Sequence, residues 1–582
     1  MSHSSKLFEQ HKVQIKNKSG FDLAHSNFLT QTCGTLTPVC TVPMLPGDSI
    51  SLGFMSQIKL PPMATSFYGR VDYRLEAFFV PYRILWGGWE NFYTQPVADP
   101  YGTTVDRPHF LPNAFYTGRG TSPYDLFKRG SLADYLGIKG VKGSTNPGDS
   151  TTIHTFNIKN ILPFLAYHKI YDDWYRNANL QKPVFVRHNS YSSVTALSGL
   201  PYISTTVSIA PDAAANPPVS TSNGSDLNID VDDSSDKPLT SIGFSGAMRG
   251  VISGVDKFAD GVRLTDLRQR NWAKDYFTTA TLYPQQSGTT SGASISATTP
   301  AEGDSTQFTI SQIRQANILQ KWLERNNIAG SRYADQIRAT FGVLPSDAML
   351  DRAIFLGGSS FGIYTNSIAQ GVNSDKGASS NPYSGTAGAD SGQTSGFGKD
   401  SLIDKFTATE HGIIMVIGSV VPHATYSTGT SRMFAMSSYG DIPNPMFEGL
   451  GQESILRGEL QPVMFGDIDD DVFGYVDQYA WCKYMNDEVH GLLVDGENLD
   501  SFALQRSFRS DSSILDSSFI TIPTDYLDQV LAVKQENAGF SSWVNMYFDI
   551  KKTSLLSQYT IPTLGDPKNT HTESIPNTGR YL

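Results

Sequence analysis

Along residues 71–79 the chain alternates: Val71, Tyr73, Leu75, Ala77 and Phe79 fall on one side, and Asp72, Arg74, Glu76 and Phe78 on the other. A repeat of two is the mark of a strand with one face in a core. The repeat returns near the C-terminus, where Val544, Met546, Phe548 and Ile550 alternate with Trp543, Asn545, Tyr547 and Asp549. Residues 31–92 read as strands, with a turn at Pro46-Gly47-Asp48 ahead of a short alternating run to Leu52. The run Ile413-Ile-Met-Val-Ile-Gly-Ser-Val-Val421 is less than half of the roughly 20 residues a membrane span needs and is rich in β-branched residues. It predicts a buried strand, and Ser518–Ile522 predicts another. Strand segments this far apart in sequence must share a sheet, the contact pattern of a Greek-key or jelly-roll sandwich.

Helical spacing is confined to the middle. Asn160 is placed to cap a helix with Pro163 in its first turn, and Phe164, Tyr167, His168, Tyr171, Trp174 and Tyr175 recur at steps of three and four. His168 there reads as a satisfied core or interface residue. Thr309 and Gln312 suit a capping box before Ile313, Ala316, Leu319 and Trp322, and the pattern resumes through Tyr333, Ile337 and Phe341. Residues 191–240 hold six Asp against one Lys among scattered prolines, and residues 365–400 are rich in Gly and Ser. Both predict long surface insertions within one architecture, since a domain linker should separate self-sufficient cores. The expected organisation is a basic arm, residues 1–20, followed by a single β domain, residues 21–582, with an exposed loop over 191–260 and a Gly/Ser-rich loop over 365–400.

Composition narrows the function. Charged residues are only 17% of the chain, whereas 51 Gly and 31 Pro punctuate it, which favours strands with long connections over exposed helices. A net charge of −11 argues against wrapping nucleic acid by bulk phosphate neutralisation, so such contact must be local or helped by another cation. Three cysteines, an odd number, make no disulfide framework; they read as buried thiols in a reducing compartment. The N-terminal segment has no apolar h-region of a secretory signal, which suits folding in a cytoplasm and leaves the Asn-x-Ser triplets at Asn17 and Asn223 as chance matches.

Catalytic chemistry is hard to find. Gly358-Ser-Ser-Phe-Gly362 matches a Gly-x-Ser-x-Gly elbow, but no helix pattern or Asp/His pair follows. Asp467-Ile-Asp469-Asp470-Asp471 begins like a calcium loop, yet Val472 stands where Gly is needed and Gln478 where Glu is needed. An acidic surface turn is one reading; a calcium contact at a subunit boundary is the sharper one. No His-Glu-x-x-His and no phosphate-binding Gly loop occur, and Gly398-Lys399 is followed by Asp400. No other cofactor is called for. The first eighteen residues carry Lys6, Lys12, Lys16 and Lys18, with His3 and His11, against Glu9 alone. Either they form a solvated terminus, or an arm on a negatively charged polymer.

Several blocks, taken as a set, resemble one family. They are Phe67-Tyr-Gly-Arg-Val-Asp-Tyr-Arg-Leu-Glu-Ala-Phe-Phe-Val-Pro-Tyr82 with Trp86 and Trp89; Leu162-Pro-Phe-Leu-Ala-Tyr-His168 with Trp174-Tyr-Arg-Asn177; and Arg270-Asn-Trp-Ala-Lys-Asp-Tyr-Phe-Thr278 with Pro284-Gln285. Residues 336–345 with Leu356-Gly-Gly358, and Glu410-His-Gly-Ile413, follow in order. The set resembles the major capsid proteins of microviruses, small icosahedral phages with circular single-stranded DNA, and within them the gokushovirus branch. Ala273 departs from the acidic residue more usual there, so no fixed ion pair is assigned to it.

The resemblance implies a mainly β, eight-stranded antiparallel jelly roll with long loop and helical insertions, and no enzymatic activity. Its copies would assemble as a T=1 shell, located in the virion, around the genome. It also implies partners: a small basic DNA-packaging protein, a minor pilot protein and a bacterial surface receptor. The arm lysines Lys6, Lys12, Lys16 and Lys18 are then the candidate DNA contacts. The projecting insertion 191–260, with Asp212, Asn223, Asp226, Asp230 and Asp232, is the candidate host contact. Trp86, Trp89, Trp174, Trp272, Tyr276 and Phe277 are candidate subunit-packing anchors, in the core or at interfaces. The competing readings are a carbohydrate-binding or carbohydrate-cleaving β protein, with Trp86, Trp89 and Trp481 stacking on sugars, and a bacterial adhesin or surface-layer protein.

Overall fold

The computed structural model describes residues 18–63, 67–85, 129–138, 162–184, 264–282, 351–369, 390–436, 439–461, 471–508, 514–532 and 540–556, with a few isolated positions between them. Their frame is a ten-stranded sheet. Its strands are β1 (Ser19–Asp22), β2 (His25–Gln31), β3 (Thr35–Met44), β4 (Ser49–Lys59) and β5 (Val71–Pro81). They continue with β6 (Arg268–Gln269), β7 (Ile354–Ala369), β8 (Asp390–Thr407), β9 (Gly412–Pro422) and β10 (Ser542–Ser554). The order is β1-β10-β4-β8-β7-β5-β9-β3-β6, with β2 also on β10, and every neighbour is antiparallel. The expected pairing of early with late strands holds: Ile550 lies opposite Leu52, and Val416 opposite Ala77. Ten strands stand where eight were expected, because the short edge strands β1 and β6 extend the ladder.

One apolar cluster draws side chains from both ends of this ladder, including Leu52 and Phe54 of β4, Leu75 of β5, Val416 of β9 and Phe548 of β10. The sheet therefore folds over itself as a two-layered sandwich. Asn27 of β2 joins the two ends by donating to the Val39 carbonyl of β3 at 2.7 Å. The turn predicted between β3 and β4 forms with Gly47 at φ +87°, and Asp48 accepts from the Leu45 amide at 3.0 Å. At the bulge in β7 after Phe355, Gly357 lies so close to the Leu402 carbonyl that a Cβ would collide with it.

The two predicted strands with the clearest patterns behave differently. In β10 Val544, Met546, Phe548 and Ile550 are buried while Trp543, Asn545, Tyr547 and Asp549 face out. In β9 every residue is buried. The cause is a second layer: helix α1 (Leu162–Ile170), continued by a π turn over Tyr171–Tyr175, covers the outer face of β5 and β9. Asn160 caps α1 as predicted, accepting from the Leu162 amide at 2.9 Å. The expectation that Phe78 marks a less apolar side of its strand is corrected. Phe78 and Val80 of β5, with Met415 and Ile417 of β9, form a separate core with Phe164, Leu165, Tyr167 and Ile170.

Two further expectations change. Ser518–Ile522 is not a strand: Ser517–Ile520 is one helical turn, because Asp516 accepts from the Phe519 amide at 2.9 Å and fixes a helical start. The Gly/Ser-rich span 365–400 is not loop throughout, since residues 365–369 and 390–400 belong to β7 and β8, paired Tyr364 to Ser395 and Ala369 to Asp390. The helical pattern over 309–341 and the insertion 191–260, two short strand pairs at its end apart, lie outside the described residues. Among the described residues no helix is long and apolar enough to cross a membrane.

Candidate functional site

Sequence block by sequence block, the aromatic positions turn inward and lock the covering layer to the sheet. The Arg270 guanidinium grips Glu76 of β5 through two bonds, 2.8 and 3.0 Å, and also donates to the Ser419 hydroxyl at 3.0 Å. Tyr175, at the end of the π turn, donates to the same carboxylate. Burial pushes the Glu76 carboxyl up, and the Arg270 charge and hydrogen bonds override it, leaving it below the ordinary range. His168 is fully buried. Arg268 Nε donates to its Nδ1 at 2.9 Å, so Nδ1 carries no proton and Nε2–H donates to the Leu264 carbonyl at 2.9 Å. Burial, reinforced by the Arg268 charge, holds its pKa well below the usual value. The ring is a neutral structural bridge, as the core reading of His168 required.

The candidate packing aromatics fall in these layers. Trp174 donates from Nε1 to the Ala353 carbonyl at 2.8 Å and carries the Arg352 guanidinium 3.9 Å above its ring. Trp272 packs edge-on against Tyr526 at 4.9 Å, and Phe277 meets Tyr426 at 4.9 Å. Tyr276 donates to Glu459 at 2.9 Å. Each of Trp272, Tyr276 and Phe277 is 5% exposed, so these three rings bind the subunit to itself rather than to a neighbour. Trp89, half-buried, sits among Tyr82, Tyr93 and His411; Trp86 lies outside the described residues.

Other candidates separate. Lys18 donates to the Gly47 carbonyl at 2.9 Å, whereas Lys6, Lys12 and Lys16 lie outside the described residues, as do Asp212, Asn223, Asp226, Asp230 and Asp232. Of the acidic run, Asp467, Asp469 and Asp470 also lie outside them; Asp471 pairs with Arg457 at 3.2 Å, and Val472 opens a strand. No group of three metal-ligating side chains occurs among the described residues. Gly358–Gly362 lies in the middle of β7 rather than at a strand-to-helix turn, and the Ser359 hydroxyl donates to Asp400 at 2.8 Å. No nucleophile elbow is built there. Trp481 packs against an internal cluster. Cys33 and Cys40 are buried, as expected, but Cys482 is exposed, because its one-turn helix Ala480–Lys483 lies on the surface.

Sequence reading missed a lobe built on the hairpin of Gln452–Leu456 with Val472–Asp477. Tyr276, Phe277, Ile455, Phe473 and Phe519 form its core. Inside it Glu459 accepts from Tyr276, from Arg432 at 3.0 Å and from the Leu456 amide at 2.9 Å. Burial beside this carboxylate raises Glu453 to about 7. Two links tie the outer loops down: Tyr479 donates to the Gly440 carbonyl at 3.2 Å, and Lys483 pairs with Glu448 at 2.7 Å. Around these links Phe434, Tyr439, Met446, Tyr484 and Met485 are all more than 60% exposed, Met485 almost completely at 98%. So many large apolar side chains in one lobe suit burial against another surface. The available signal was aperiodic pairs of large residues, Met433-Phe434, Met446-Phe447 and Tyr484-Met485.

Comparison with known proteins agrees with a non-catalytic surface. Residues 11–564 match the family described as capsid protein (F protein). The chain is 26% identical to the capsid protein VP1 of Chlamydia phage 1, over 94% of this chain and 96% of that one. It is 24% identical to the capsid protein VP1 of Bdellovibrio phage phiMH2K (91% and 94% covered) and 23% identical to that of Spiroplasma virus 4 (97% of each).

Proposed function

The chain belongs to the capsid protein (F protein) family, and from that premise we propose that its copies close into a T=1 icosahedral shell around a circular single-stranded DNA genome. It is a phage major capsid protein, a structural protein of the virion that assembles with itself, and not an enzyme. The observation that carries the shell reading is the lobe around residues 432–492. It presents Phe434, Met446 and Met485 to solvent on a subunit whose own core is already filled. Closed symmetry needs such patches to meet complementary ones on neighbours, and many weak contacts then add to a stable particle.

The finer roles follow the same reading. A small basic packaging protein compensates the −11 subunit against the polyanion it encloses, and a minor pilot protein accompanies the genome. The insertion 191–260, acidic and punctuated by proline, projects toward a receptor on the bacterial surface, with Asp212, Asn223, Asp226, Asp230 and Asp232 in the contact. Lys6, Lys12, Lys16 and Lys18 hold DNA from the terminal arm, and assembly takes place in the host cytoplasm. The test is sedimentation and electron microscopy of the full-length chain, alone and with the packaging protein and single-stranded DNA. Uniform closed shells are expected; a chain that stays monomeric under every condition overturns the reading.

A further inference from the structure

Among the described residues, no covering layer like the one that buries the other half lies on the outer face of the half-sheet β2, β10, β4, β8 and β7. Across it the register sets rings and cations side by side. Phe28 of β2 lies opposite Asn545, which lies opposite Gln57, which lies opposite Phe397 of β8. One step along, Tyr547 faces Met55, and Met55 faces Lys399; one step the other way, Trp543 faces Lys59. Phe28 and Phe397 are 74% and 64% exposed. Gly53 interrupts the surface between Asp549 and Ser401, and the missing side chain leaves a concavity lined by Met55, Lys399, Tyr547 and Lys551 together with Asp400 and Asp549.

The composition of this face selects its occupant. The core of a contact between copies is depleted in lysine, but here Lys59 and Lys399, with Asn545 and Gln57, stand between the rings. Lys59 and Lys399 have no ion-pair partner among the described residues, while Lys551 lies 3.9 Å from Asp549. Rings that offer a flat surface, spaced by cations that reach past them, suit a polymer with stackable planes on an anionic backbone.

We propose that this face binds unpaired nucleic acid, with bases stacked on Phe28, Tyr547 and Phe397 and phosphates held by Lys59, Lys399 and Lys551. The proposal rests on the shell reading for the identity of the strand as the genome, and on geometry alone for the binding. A base in a duplex has no free face to offer these rings, so the site discriminates single strands from double strands.

The test is fluorescence anisotropy with purified full-length subunits, using a labelled oligothymidylate of roughly 20 nucleotides and a duplex of equal length. The parent is expected to bind the single strand more tightly than the duplex, with an affinity that falls as salt rises. Replacing Phe28, Tyr547 and Phe397 together by Ala should weaken single-strand binding by about tenfold or more, at an unchanged melting temperature and particle yield. The variant K59Q/K399Q/K551Q should flatten the salt dependence. Equal affinity of the alanine variant and the parent, or equal binding of duplex and single strand, overturns the proposal. Loss of particles at unchanged single-strand affinity also overturns it and assigns the face to contact between copies. Single-strand binding by a parent that never forms particles would support this site while contradicting the shell.

Discussion

Strands β9 and β10 belong to one sheet and are both apolar toward the sandwich core, yet their outer sides differ completely. On β9, Met415 and Ile417 meet helix α1 and are buried; on β10, Trp543 and Tyr547 meet solvent. The half of the sheet under α1 has traded its outer face for a second core, whereas the open half keeps rings, lysines and amides that no described element covers. Inward packing explains only the first half. Several large aromatics gathered on one outer strand face, uncovered by any described residue, suit a partner there.

The largest expected effect falls on the covered half. Phe78, between Trp174 at 5.8 Å and Phe355 at 5.5 Å, should cost about 3–5 kcal/mol when changed to Ala, measured by urea denaturation. A loss under about 1 kcal/mol would mean that the helical layer is only loosely seated. Next, Glu76→Gln leaves the Arg270 guanidinium largely buried without its counter-charge, and should cost about 2–3 kcal/mol. A melt unchanged from the parent would break the claim that this pair locks the layer to the sheet.

Acid should act on the covered half as well. His168 is neutral when folded and its pKa lies below the unfolded value, so its contribution is present above about pH 6.5 and is lost as pH falls, by at most about 1.4 kcal/mol per pH unit. Glu453 in the exposed lobe has the opposite sign. Its carboxyl is raised to about 7, so it favours the fold below its ordinary pKa and loses that contribution as pH rises through 7. Hydrogen exchange at pH 5 and pH 8 separates the two: α1 should open more at the lower pH, the hairpin over 452–477 at the higher. The same direction in both regions would contradict this assignment. The smallest effect belongs to the open half, where Tyr547→Ser should change stability by no more than about 0.5 kcal/mol.

How much of this was legible depends on whether a residue's partner is local. The alternation of β10, the apolar run of β9 and the Asn160 cap were read correctly because each answers to its own strand or turn. Phe78 was placed on the polar side of its strand, since nothing near residue 78 announces that a helix starting at Leu162 will cover it. Ser518–Ile522 has strand composition, but Asp516 imposes a helical turn by a single hydrogen bond. Cys482 was expected inside because free cysteines usually are; labelling of the native protein by a thiol reagent should find one reactive group of the three, with Cys40 protected by burial that also pushes its pKa up to about 12. The aromatic block Trp272, Tyr276 and Phe277 carried the family resemblance, yet it anchors the subunit internally. The exposed rings of the lobe and of the open sheet face drew no assignment to a surface, because a sequence pattern does not say which large side chains are left uncovered.

The most direct test of the two-faced sheet is radical footprinting of side chains in empty and DNA-filled particles. Phe28, Tyr547 and Phe397 should lose most of their labelling when single-stranded DNA fills the shell, with Tyr167 and Met415 silent in both states. Labelling of the three open-face rings that is equal in empty and filled particles would contradict the account.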